Sequence, residues 1–109
     1  MEMTKLEIKS LEDNVEICFS NSRDNATFTT EQRDKWLAQG VKLRECLKNL
    51  ISKEISQAAD SKVIEANTKL KSINQRLQDK QESLNKFSET VEDITNVVAI
   101  LDIIIGLAV

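Results

Sequence analysis

Histidine, tyrosine and proline are absent from the 109 residues, and glycine occurs only at Gly40 and Gly106. Without histidine there is no Ser-His or Cys-His pair to activate a nucleophile, and no Glu-x-x-His set for a di-metal centre between helices. Without tyrosine a common alternative proton donor is missing as well. Two isolated glycines form no phosphate-cradling loop. The sequence therefore predicts no catalytic, cofactor-binding or metal-binding residues, and a chain that is not an enzyme. Positive charge is also in short supply. Fifteen basic against 18 acidic residues leave a net charge of −3, without the basic face that nucleic-acid binders concentrate.

Cysteine is scarce too, with only Cys18 and Cys46. The first ten residues carry no apolar run of the secretory kind, so the expectation is a cytoplasmic chain with reduced thiols packed as small hydrophobes. A disulfide between the first two helices is the alternative in an oxidising compartment.

What remains is rich in Leu, Ile, Lys, Glu, Gln and Ala, a composition of long helices. Ile8, Leu11, Val15, Cys18 and Phe19 recur at helical spacing, and Thr4 with Glu7 makes a capping box, which predicts a helix over about 5–19. Residues 20–29 (SNSRDNATFT) are polar and prone to local backbone hydrogen bonds, as a connection should be. Thr29 and Gln32 repeat the capping-box spacing, and Trp36, Leu37, Gly40, Leu43, Leu47, Leu50, Ile51 and Ile55 trace an apolar stripe, predicting a second helix over about 30–59.

A third helix is predicted over about 62–108. Along it Val63, Ala66, Leu70, Ile73, Leu77, Lys80, Leu84, Phe87, Val91, Ile94, Val98, Leu101, Ile105 and Ala108 alternate by three and four. A seven-residue repeat of this length keeps one seam toward a partner helix. Lys80 is its one polar member. At 1.5 Å per residue this helix would reach about 70 Å and the second about 45 Å, so the second cannot cover it and the seam would go uncovered beyond about Val91. The weak break at residues 59–62 also permits the second and third helices to run on as one. From Lys62 to Lys80 there are five basic and two acidic residues, and from Gln81 to Asp102 one basic and five acidic. That asymmetry favours antiparallel pairing of two such segments. The acidic first helix, in turn, complements Lys42, Arg44, Lys48 and Lys53 on the second.

Glu89, Glu92 and Asp93, and separately Glu12 and Glu16, share helix sides, which is read as solvated acidic face before cation site. The C-terminal residues 97–109 (VVAILDIIIGLAV) are apolar all round and so must be enclosed by protein or lipid. At about 20 Å they fall short of a hydrocarbon core of about 30 Å, and Asp102 would cost about 2.5 to 3.5 kcal/mol at a bilayer centre.

The fold class predicted is all-α: an antiparallel helical hairpin or three-helix bundle, with one long coiled-coil-like C-terminal helix, forming a single domain over 1–109. The expected function is binding. The chain would form a homo-oligomer or take a helical protein partner through the seam of Leu70, Ile73, Leu77, Leu84, Phe87, Val91, Ile94, Val98, Leu101 and Ile105. The alternative is a membrane-active or membrane-associated protein inserting Val97, Ile100, Asp102, Ile103, Ile104, Gly106 and Leu107.

Overall fold

The second helix begins where its sequence says it should. Thr29 Oγ1 accepts from the Gln32 amide at 3.2 Å while the Thr29 amide donates to Gln32 Oε1 at 3.0 Å, so both ends of the capping box are closed. The computed structural model describes residues 6–52 and 60–107, and it is all-α: α1 (Ile8–Ser22), α2 (Thr30–Ile51), α3 (Asp60–Leu77), α4 (Lys80–Asn85) and α5 (Phe87–Leu107). Thr4, the expected cap of the first helix, lies outside the described residues, as do residues 53–59 of the expected second helix and Ala108 of the seam. The first helix starts later than expected because Leu6 turns into the core and the Glu7 amide donates instead to Asn67 Oδ1 of α3, at 2.8 Å.

The expected unbroken C-terminal helix is corrected by the structure, which divides that stretch into α3, α4 and α5. The cause is local. Asp79 leaves the helical conformation, and its carboxylate caps a new helix by accepting from the Gln81 and Glu82 amides at 2.9 and 3.3 Å. Lys80, the odd member of the seam, reaches out to Asn21 Oδ1 at 2.6 Å and Asp24 Oδ2 at 3.2 Å. It also sits 5.9 Å from the centre of the Phe28 ring. The molecule's longest dimension is 46 Å, well under the roughly 70 Å that a continuous helix would need. Replacing Asp79 with Ala should cost about 1 kcal/mol in denaturant unfolding, the usual worth of a lost N-cap.

With α3 and α5 folded back on each other, the four long helices form a ring in the order α1, α2, α5, α3. The diagonal pairs make no close approach among the described residues. Within each hairpin the helices are antiparallel, and between hairpins like directions meet. Asn14 faces Asn74, while Gln39 faces Thr95 and Cys46 faces Asp102 in the same rising order. The charge asymmetry of the C-terminal half is used here inside one chain: Arg76 on α3 pairs with Asp93 on α5 at 2.8 Å and also donates to the buried Thr90 hydroxyl.

The core runs the length of this ring. Leu11, Cys18, Trp36, Leu43, Val63, Ala66, Leu70, Ile73, Ile94, Val97, Leu101 and Ile104 are buried within it. At one end Trp36 packs edge-on against Phe28 and Phe87, with ring centres 5.6 and 5.5 Å away. At Gly40 the two helices of the first hairpin approach so closely that a Cβ would stand 3.2 Å from Cys18 Cβ and 3.3 Å from the Phe19 ring. A Cβ there would require Cys18 and the Phe19 ring to give by a few tenths of an ångström.

Candidate interaction surface

The residues expected to bind a partner through the C-terminal seam sit inside the bundle. Leu70, Ile73, Leu77, Phe87, Ile94 and Leu101 are buried, and Leu84, Val91, Val98 and Ile105 are half-buried against the same core. A 4-3 spacing requires that a stripe be covered. Here α1, α2 and the two arms of the C-terminal hairpin provide the cover.

The apolar C-terminal segment has the same fate for most of its length. Val97, Ile100 and Ile104 are buried, while Ile103, Gly106 and Asp102 face outward. The Asp102 carboxylate accepts a weak hydrogen bond from Cys46 Sγ at 3.6 Å. The side chain of Leu107 lies outside the described residues. Among the described residues no helix is long and apolar enough to cross a membrane.

Polar groups within the bundle are arranged as inter-helix ties. Asn14, fully buried, donates to Asn74 Oδ1 at 2.8 Å, and Asn74 donates in turn to the Ser10 carbonyl at 3.0 Å. Gln39 donates to Thr95 Oγ1 at 3.0 Å. These contacts fix which residue lies level with which, because a one-turn slip would strand buried amides. Asp24 is held below its ordinary carboxylate range, first by the hydrogen bond from Thr27 and then by Lys80. Glu89, Glu92 and Asp93 do not converge; among the described residues no three side chains of ligand type come together.

Both cysteines are free and buried. Burial pushes the Cys18 thiol up to about 12, and burial followed by the neighbouring Asp102 carboxylate does the same at Cys46. Since the folded values lie above that of an unfolded thiol, the stability tied to these groups is complete below about pH 8.5 and is lost as pH rises toward 12. At pH 8 the native chain should react with iodoacetamide at least about a hundredfold more slowly than the unfolded chain, which mass spectrometry of the quenched adducts would measure.

Among the described residues five large apolar side chains stay exposed. Ile64 on α3 and Ile103 on α5 belong to the second hairpin, while Leu37, Val41 and Ile51 all belong to α2, at 46, 38 and 68 per cent exposure. With Arg44 and Lys48 they follow a 4-3-4-3 spacing, so the five share one stripe of α2. This stripe borders α1. Arg44 lies 5.3 Å from the centre of the Phe19 ring, and a groove between the helices has Val15, Phe19 and Leu47 as its floor, with Glu12, Glu16, Arg23 and Arg44 at its rim.

Sequence reasoning put Leu37 and Ile51 in the core stripe, because a broad helical stripe does not reveal which edge the neighbours leave open. Of the basic residues expected opposite the acidic side of α1, Arg44 lines the groove with Glu12 and Glu16, and Lys53 lies outside the described residues. Yet among the described residues Glu12, Glu16, Arg44 and Lys48 enter no ion pair. No family model, curated protein or solved structure matches the chain.

Proposed function

We propose that this chain is a non-enzymatic helical-bundle protein that acts by binding a helical protein surface along the outer face of α1 and α2. The observation that carries this reading is the stripe of Leu37, Val41, Arg44, Lys48 and Ile51, which has coiled-coil spacing and, among the described residues, no helix over it. Beside it runs a groove with an aromatic and aliphatic floor, and aromatic residues and arginine are the types enriched at the centres of protein interfaces. The C-terminal seam contributes by holding the two hairpins together, which keeps the face of the first hairpin rigid.

The reading is tested with a photo-crosslinking amino acid placed at position 41 of the full chain. As a control, the same group is placed at Gln75, exposed on α3 of the other hairpin. In extract of the cells that make the protein, supplemented with unlabelled chain, position 41 should give a discrete protein adduct and position 75 none. Equal labelling at both positions, or none at either, would contradict a dedicated face.

A further inference from the structure

We infer that the partner on this face is a second copy of the same chain, related by a two-fold axis parallel to the bundle and lying over the groove between α1 and α2. The inference rests on the binding reading above and deepens it by naming the occupant. Its basis is that the face is complementary to itself in charge and in apolar contact.

The levels of the two helices are tied by the contact of Gly40 with Cys18 and Phe19. Because α1 and α2 are antiparallel, each step up one is a step down the other. Phe19 is therefore within two residues of the level of Val41, Glu16 and Glu12 are within two residues of the levels of Arg44 and Lys48, and Ile8 is about level with Ile51. The groove lining agrees, since it joins Glu12 and Glu16 to Arg44 and Leu47. A half-turn about an axis parallel to the helices keeps every level and exchanges the two helices. It lays α1 of one copy along α2 of the other, in the antiparallel sense already used within the hairpin. Glu12 and Glu16 then come within side-chain reach of Lys48 and Arg44 of the second copy, and Phe19 of Val41, with every contact occurring twice as an isologous interface requires. The other in-plane axis, across the helices, would lay α1 on α1 and bring the Glu16 carboxylates together. Charge thus selects the parallel axis.

The four charged residues have no ion-pair partner within the chain, among the described residues, so the second copy offers them opposite charges without breaking an ion pair already made. All four are exposed, and reversing them leaves the core untouched.

The experiment is sedimentation equilibrium on the full chain and on two double variants, Glu12→Lys with Glu16→Lys, and Arg44→Glu with Lys48→Glu. Circular dichroism confirms that each keeps its helix content. The wild type should sediment as a dimer. Each variant, with like charges where Glu12 and Glu16 face Lys48 and Arg44, should dissociate at least about tenfold more readily. An equimolar mixture of the two should recover the dimer, because the reversed helices again meet opposite charge. Val41→Ser, which alters no charge, should also weaken the wild-type dimer. A monomeric wild type, variants that dimerise as well as it does, or a mixture that stays monomeric would overturn the inference. The binding reading fails separately: a monomeric wild type that still crosslinks a different protein from position 41 leaves that reading standing, whereas no adduct from position 41 removes both.

Discussion

Trp36→Ala should lower the unfolding free energy by about 3 to 5 kcal/mol, the range found for large aromatic truncations in cores. Trp36 is fully buried, and its ring is the shared contact of Phe28, from the loop before α2, and Phe87, from the start of α5. Removing it empties one end of the bundle and frees both phenylalanines at once. A domain of this size holds only about 5 to 15 kcal/mol in total, so the variant should melt far below the wild type. Trp36→Phe should cost less than half as much. It keeps an aromatic surface, and it removes an indole N–H that has no hydrogen-bond partner among the described residues. Denaturant titrations of the two variants, followed by far-ultraviolet circular dichroism, give both numbers. Equal costs for Ala and Phe would mean that ring packing is not what holds this end together.

Leu101→Asp should be at least as damaging and should abolish stable folding. Leu101 is fully buried on α5, and an unpaired carboxylate there would carry a penalty of several kcal/mol. The outcome bears on how the C-terminal half is used. If the seam were an oligomer contact or a lipid-facing strip attached to an independently folded remainder, the variant would lose assembly or membrane affinity and keep its helices. In the bundle described here it loses the helices themselves. A well-folded Leu101→Asp monomer would therefore contradict the packing of α5.

Much of this fold is written plainly in the chain. The absence of proline and near-absence of glycine, together with 3-4 apolar spacing, gives the all-α class, and Thr29 with Gln32 gives the start of α2 to the residue. The ends of α1 and α2 were less legible, as element ends usually are. The turn between α3 and α5 was hidden by the seam. Periodicity registers which side chains need cover, and Leu77, Lys80 and Leu84 keep the 4-3 count across a place where the backbone turns. A signal was present: Asp79 followed three residues later by Glu82 has helix-start spacing, and Lys80 was the one seam position that could not be buried cheaply. Phe28 was lost in a polar connection, because nothing local marks a loop residue whose partner is Trp36. The α1–α2 face could not be read in advance either. Leu37 and Val41 are as apolar as any core residue, and only the ring order α1, α2, α5, α3 decides that no described helix covers them.

The bundle and its outer face require the C-terminal half to fold back within one chain, and one distance tests that most directly. Nitroxide labels at the exposed positions Glu65 on α3 and Ile103 on α5, in chain diluted with unlabelled protein, report the separation by double electron–electron resonance. The buried thiols of Cys18 and Cys46 stay out of the labelling reaction. Neighbouring antiparallel helices with axes about 10 Å apart predict a narrow distribution below about 25 Å. A single continuous helix would place the labels about 57 Å apart, and that result would contradict the bundle and the binding face built on it.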